Sequence, residues 1–119
     1  MVKVLIKKID PNVKLPQYKT PGASGMDIMA FIKDPIIVKP KTSALVSTGL
    51  SVAFAKEFEL QIRPRSGLAI KNNISVLNTP GTIDSDYRGE IKVILFNHGK
   101  NDFLINNKDR IAQMILTPV

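Results

Sequence analysis

Gly81-Thr82-Ile83-Asp84-Ser85-Asp86-Tyr87-Arg88-Gly89-Glu90 separates two β-rich runs, Val76-Leu77-Asn78 before it and Ile91-Lys92-Val93-Ile94-Leu95-Phe96-Asn97 after it. Apolar runs divided by Pro-Gly and Asp-Ser-Asp turn chemistry read as a hairpin. Its tip carries Asn78, Asp84 and Tyr87. An amide can read hydrogen-bonding edges, a ring can pack on a sugar face, and a carboxylate can bind a hydroxyl or a water. A small, flat, polar ligand suits that set.

Outward from this segment the chain keeps the same grammar. Eight Pro and seven Gly interrupt 119 residues at short intervals, and no amphipathic period sustains a helix of several turns. Short apolar runs between turn signals predict an all-β sandwich or barrel. One domain over residues 1–119 is expected at this length. Val2 to Ile6 reads as the first strand, within Met1-Val2-Lys3-Val4-Leu5-Ile6-Lys7-Lys8, which lacks a signal peptide's long apolar region and cleavage site. Residues 7–22, with Pro11, Pro16, Pro21 and Gly22, form an extended loop. Strands follow over Met26 to Phe31, Ile36 to Val38 and Phe58 to Arg63, and Thr42 to Val52 is β-rich, with Gly49 marking a bulge or close backbone approach. Leu68 to Lys71 suits one helical turn after Ser66-Gly67. Glu90 to Asn97 is the longest predicted strand, and Phe103 to Ile105 and Ile111 to Leu116 close the set.

No stretch approaches the ~20 apolar residues of a membrane span. With no Cys, disulfides and thiolate metal sites are excluded, and a cytoplasmic setting is expected. His98 is the single histidine and reads as a turn residue, so zinc and acyl-transfer chemistry are poor hypotheses. The net charge of +7 is carried mostly by scattered Lys, without a stripe of interleaved aromatics, which argues against a nucleic-acid groove. The four Arg are placed differently. Arg63, Arg65, Arg88 and Arg110 fall in or beside the segments that carry chemistry. A guanidinium fork suits phosphate oxygens, so their placement points to a phosphorylated ligand, with Arg65 the one expected to touch it and the others bracing the site or subunit contacts.

The opening segment resembles the third motif of the trimeric dUTPases. Ala23-Ser24-Gly25-Met26-Asp27-Ile28-Met29-Ala30 resembles that family's first motif, Pro64-Arg65-Ser66-Gly67-Leu68-Ala69 its second, and Asp109-Arg110-Ile111-Ala112-Gln113-Met114 its fourth. The four stand in the family's order from residue 23 to residue 114. The fifth motif, a Gly-rich C-terminal arm with an Arg and a Phe, has no counterpart in this sequence, which reaches Val119 where the arm would begin.

The resemblance implies a jelly-roll-like β-barrel with at most one short helix, assembled as a homotrimer with active sites between subunits. It implies Mg2+-assisted hydrolysis of dUTP to dUMP and pyrophosphate, which keeps uracil out of DNA and supplies dUMP for thymidylate synthesis. By the same resemblance Asp84 orients the attacking water and meets the deoxyribose 3′-hydroxyl. Tyr87 packs under the deoxyribose where a 2′-hydroxyl collides, and Asn78 reads uracil in a hairpin too tight for thymine's methyl group. Arg65, Ser66, Gly67 and Gln113 contact phosphate, and Asp27 stands near Mg2+ through metal-bound water.

Each assignment has a plainer counterpart. Ser-Gly is common at turns as a Ser N-cap followed by Gly. Asp27, a carboxylate in an apolar strand, needs a partner and can find it in a buried Arg as well as in a cation. Gln113 fits a solvent-facing strand position, Asp109-Arg110 a structural ion pair or subunit contact, and Tyr87 a core or interface. Asp84 and Asp86 are both good turn residues. Two rival functions stand beside hydrolysis of dUTP: a dCTP deaminase-like enzyme, which shares the barrel and an Arg-Ser motif, and a catalytically weak dUTP-binding or regulatory protein without the arm that closes the site.

Overall fold

Alternating burial along short strands organises the chain. In β6 (Phe58–Arg63), Leu60 and Ile62 are buried while Glu59, Gln61 and Arg63 stay half-exposed, the period of two that puts one face on a core. The computed structural model describes residues 2–119; the part of the expected N-terminal segment that falls on Met1 lies outside them. The strands in chain order are β1 (Leu5–Lys8), β2 (Met26–Met29), β3 (Ile36–Val38), β4 (Ser43–Ser47), β5 (Leu50–Ala53), β6, β7 (Ile74–Val76), β8 (Gly81–Ile83), β9 (Lys92–Asn97), β10 (Phe103–Ile105) and β11 (Arg110–Pro118), with one short helix, α1 (Ser66–Asn72), between β6 and β7.

All pairings are antiparallel. The principal sheets are β2-β11-β6-β8 and β4-β9-β7, and β1-β5 and β3-β10 form two-stranded ladders. Leu60, Ile62, Val93, Leu95, Val46 and Met114 from the two principal sheets are almost wholly buried, and Val38, Leu50, Val52 and Ile105 from the ladders join the same apolar cluster. The architecture is the expected all-β, jelly-roll-like barrel. Among the described residues no helix is long and apolar enough to cross a membrane.

Several element limits differ from the sequence reading. The first strand starts at Leu5 and runs through Lys8, because its partner β5 spans only Leu50–Ala53 and pairs Leu5 with Ala53 and Lys8 with Leu50. The helix begins at Ser66 and spans seven residues, not one turn. Arg65 is its N-cap, in extended conformation and without a side-chain cap, and Asn73 ends it in the left-handed region at φ 58°. The longest strand is β11, nine residues to the six of β9. β11 has ladders on both sides, β2 along its first half and β6 along its second, and these extend its pairing to Pro118.

The hairpin is also reshaped. Its arms do pair, Ile74 opposite Asn97 and Val76 opposite Leu95. Between them, however, Gly81–Ile83 crosses to the other principal sheet and pairs with β6, Gly81 opposite Ile62. The connection therefore ties the two sheets together, and the cleft it forms lies where they meet. Two buried polar side chains fix corners of the barrel. Asn97 donates to the carbonyls of Val38 (2.9 Å) and Asn101 (2.8 Å) and accepts from the Gly99 N–H (2.9 Å), and Thr48 donates from its hydroxyl to the Ile91 carbonyl.

Candidate active site

Asn78, Asp84 and Tyr87 line one open cleft of about 340 Å3, with Gly81, Glu90 and Lys92. Gly81 brings backbone against Asn78: a Cβ there would lie 3.3 Å from Asn78 Nδ2 and 3.4 Å from Ile62 Cβ. A turn closes the tip, with the Tyr87 N–H donating to the Asp84 carbonyl (3.1 Å) and Arg88 Nη1 to the Ser85 carbonyl (2.6 Å). Tyr87 donates from its hydroxyl to the Glu90 carbonyl (2.9 Å) yet keeps 45 % of its surface exposed, so the ring is fixed and still available. Asp84 is exposed, and among the described residues its carboxylate has no ion-pair partner. A solvated, unpaired carboxylate retains its acceptor capacity for a water or a hydroxyl.

A second group forms across the sheet β2-β11-β6. Asp27 stands opposite Gln113, and Gln113 opposite Arg63. Directly opposed residues of an antiparallel ladder project from the same face. Asp27 accepts at Oδ1 from Arg65 Nε (3.3 Å) and at Oδ2 from Arg110 Nη1 (3.4 Å), with Lys19 Nζ 3.9 Å from Oδ2. One carboxylate thus faces three cations, and the surplus positive charge favours an anion at this face. Gln113 Nε2 donates to the Pro64 carbonyl (2.9 Å), holding the turn that presents Arg65.

The first intrahelical bond of α1 runs from the Ala69 N–H to the Arg65 carbonyl. Ser66, Gly67 and Leu68 therefore keep N–H groups that no helical carbonyl takes up. Ser66 is exposed, and a Cβ on Gly67 would meet nothing within 4 Å, so packing inside the chain does not demand a glycine there.

Asp27, with Arg110 beside it, lines a cavity separate from that cleft. The cleft of Asn78, Asp84 and Tyr87 has no lining residue in common with the trough of about 910 Å3 that runs past Lys14, Tyr18, Lys19, Asp27 and Arg110. At a strand spacing of about 4.8 Å, β2 and β8 stand roughly 14 Å apart across the sheet.

The sequence model of the dUTPase family matches residues 11–119. A deoxyuridine 5′-triphosphate nucleotidohydrolase of Treponema denticola is 57% identical over 109 residues, 92% of this chain and 76% of that protein. The chain belongs to the dUTPase family. A protein of the same name from Chlamydia pneumoniae is 54% identical over 112 residues, 94% of this chain and 77% of its own length. Among solved structures, a mutant dUTPase from phage phi11 of S. aureus, described for its coordination of a structural Mg(II) ion, superposes with a TM-score of 0.88 at 17% identity, covering 98% of this chain and 91% of that one. The Staphylococcus bacteriophage 80alpha dUTPase with dUPNHPP gives a TM-score of 0.88 at 18% identity, covering 98% and 83%. At those identities the structures attest the dUTPase fold.

Against this dUTPase frame, the predicted site residues fall into the two groups: Asn78, Asp84 and Tyr87 in the cleft, and Arg65, Ser66, Gly67, Asp27 and Gln113 at the cationic face. Three of the plainer counterparts change. Arg110 pairs with Asp27 rather than with Asp109, whose carboxylate instead accepts from the Asn106 N–H (2.7 Å) and closes a turn. Gln113 faces the β6–α1 turn instead of open solvent, and Ser66 is the first helical residue rather than its N-cap. Arg63 donates to Gln61 Oε1 and Arg88 to its own turn, both bracing roles.

Among the described residues no three His, Cys, Asp or Glu groups gather to hold a metal. Direct coordination by Asp27 does not suit an oxygen pair that already carries a guanidinium on each atom. A hydrogen bond from a water does, because each carboxylate oxygen has a further lone pair. Glu90, Lys19 and Thr48 went unnoticed in the sequence. For Glu90 the signal was present: it is a carboxylate at the edge of an apolar run, and it becomes half-buried.

Proposed function

We propose that this chain is a dUTPase subunit that hydrolyses dUTP to dUMP and pyrophosphate. The observation that carries the reading is the convergence of Asn78, Asp84 and Tyr87 on one cleft, with Gly81 at its wall. In this reading the Asn78 amide and adjacent backbone match the edge of uracil, and the Tyr87 ring packs on the deoxyribose. Discrimination of this kind is strong where a site's polar groups are left unpaired by the wrong base. Asp84 accepts a hydrogen bond from a water and aligns it with the α-phosphorus. As the water oxygen bonds to phosphorus, the α–β anhydride bond breaks, pyrophosphate leaves, and the water's proton passes toward the carboxylate. Arg65, the Ser66 hydroxyl, the free N–H groups at Ser66 and Gly67, and Gln113 hold the phosphate chain.

Mg2+ is the cofactor of this reading, and bound with the nucleotide it would neutralise phosphate charge. Asp27 would accept a hydrogen bond from a water of the bound ion, and it holds Arg65 in place. The subunits form a homotrimer, with the cleft of one facing the cationic face of another. That arrangement accounts for the separate cavities lined by Asp27 and by the cleft residues in one chain. Residues 1–119 act as one domain, and the enzyme works in the cytoplasm, lowering dUTP and supplying dUMP for dTMP synthesis.

Pyrophosphate release from dUTP with Mg2+ tests this, with dCTP, dTTP and UTP as controls. Release from dUTP alone is expected. Turnover of dCTP would favour the deaminase-like reading, and dUTP binding without release would leave a binding or regulatory role.

A further inference from the structure

Tyr87 is placed by two residues that follow it in the chain, Gly89 and Glu90. Its ring lies across Gly89 so closely that a Cβ on that residue would stand 2.5 Å from Tyr87 Oη and 2.7 Å from Cζ. Its hydroxyl ends on the Glu90 carbonyl. Glu90 is in turn gripped by the corner between β4 and β5. The Gly49 N–H donates to Glu90 Oε2 (3.0 Å), the Ile91 N–H donates to the Leu50 carbonyl (2.7 Å), and the Thr48 hydroxyl donates to the Ile91 carbonyl. The corner has little freedom. Gly49 adopts φ +72°, and a Cβ there would come within 2.6 Å of Val13 Cγ2. The path from Val13 and Gly49 through Glu90 to the Tyr87 ring is therefore a continuous series of close contacts that ends at the cleft wall.

We propose that Glu90 and Gly89 are positioning residues that determine sugar specificity: Gly89 lets the Tyr87 ring fold back, and the Glu90 carboxylate, anchored on the Gly49 N–H, fixes the carbonyl to which the ring is tied. This rests on the nucleotide reading above, in which Tyr87 rejects a ribose by collision with its 2′-hydroxyl. A steric wall discriminates only if it cannot yield. A ring tethered at its hydroxyl and backed by a glycine too crowded for a methyl group does not swing away, whereas a loosened ring makes room for the extra oxygen.

The test is the ratio of kcat/KM for dUTP to that for UTP, measured for the wild type and for Tyr87→Ala, Tyr87→Phe, Gly89→Ala, Glu90→Ala and Glu90→Gln. Glu90→Ala and Gly89→Ala are expected to lower the ratio by roughly tenfold or more, chiefly by raising UTP turnover. Tyr87→Phe, which keeps the ring and loses the tether, is expected to fall between these and the wild type. Glu90→Gln keeps an acceptor for the Gly49 N–H and should stay within about threefold of the wild type, a rescue that lost charge alone does not predict. Gly89 is exposed and outside the β4–β5 corner, so Gly89→Ala and Tyr87→Phe decide the matter if Glu90→Ala fails to fold.

Tyr87→Ala separates the two levels of argument. An unchanged ratio there defeats the sugar-packing role itself. A lowered ratio there, with wild-type ratios in Gly89→Ala and Glu90→Ala, overturns the positioning proposal alone. So does a Glu90→Gln ratio as low as that of Glu90→Ala.

Discussion

Arg65 Nε lies 3.3 Å from Asp27 Oδ1, joining the start of α1 to β2 across 38 residues of sequence. The pair is mostly shielded, each side chain 23% exposed, and Arg110 takes the second carboxylate oxygen. The carboxylate thus organises a cationic face that would otherwise be held apart by its own repulsion. Its removal leaves Arg65 and Arg110 close together without a counter-charge.

Asp27→Ala is therefore expected to cost about 1–2 kcal/mol of stability, between the values for exposed and buried pairs because the site is only partly shielded. It should also lower kcat/KM for dUTP by roughly tenfold or more, through loss of Arg65 positioning. Thermal unfolding and pyrophosphate release, each at low and high salt, read the two effects. The stability difference should shrink as salt rises, because screening weakens the repulsion between the freed cations. Wild-type values in both assays would remove Asp27 from the site.

Gly25 tests whether β11 fixes the cationic face by packing. A Cβ at Gly25 would meet Ile115 Cγ1 at 2.8 Å, Gln113 Oε1 at 2.9 Å and the Met114 carbonyl at 3.2 Å. Gly25→Ala is expected to destabilise by about 1–3 kcal/mol, as overpacking does. It should also weaken dUTP binding, since the amide it displaces is the one that ties Gln113 to Pro64. An unchanged melting temperature would show that β11 yields without consequence.

The strands legible in the sequence were those whose limits are set locally. Ile36–Val38, Phe58–Arg63 and Phe103–Ile105 occur as read, because apolar alternation and flanking turn residues bound them. Strand limits set by a distant partner were not legible: β1 begins opposite the end of β5 and ends opposite its start, and β11 is long because two strands flank it. The site divides in the same way. Asn78, Asp84 and Tyr87 lie within ten residues of each other in sequence, and the turn chemistry that brings them together is local. The pairing of Arg110 with Asp27, at a separation of 83 residues, depends on the register of β11 against β2, and no local pattern in the sequence encodes it.

Asp84→Asn keeps the size and hydrogen-bonding reach of the side chain and removes its charge. It is expected to lower kcat for dUTP by at least about 100-fold while leaving dUTP binding within a fewfold of the wild type, the pattern of a group that acts on the attacking water. Asp86→Asn, two residues on and outside the cleft lining, should leave kcat unchanged. Calorimetric binding and single-turnover kinetics on both variants separate the steps, and a normal kcat in Asp84→Asn would take Asp84 out of the chemistry.

The separation of the cleft from the cationic face makes assembly a direct test of the site. A solution mass of about three times the 13.1 kDa chain is expected. Complementation is more decisive than mass. Asp84→Asn subunits lack the cleft carboxylate and keep Arg65, and Arg65→Ala subunits have the reverse defect. Each alone should be nearly inactive. Refolded together in equal amounts, they should regain activity at roughly a quarter of their sites, because a shared site draws its two halves from different subunits of a cyclic assembly. A mixture no more active than its components would place both halves in one chain, and would require the cleft and the cationic face to meet by a movement within the barrel.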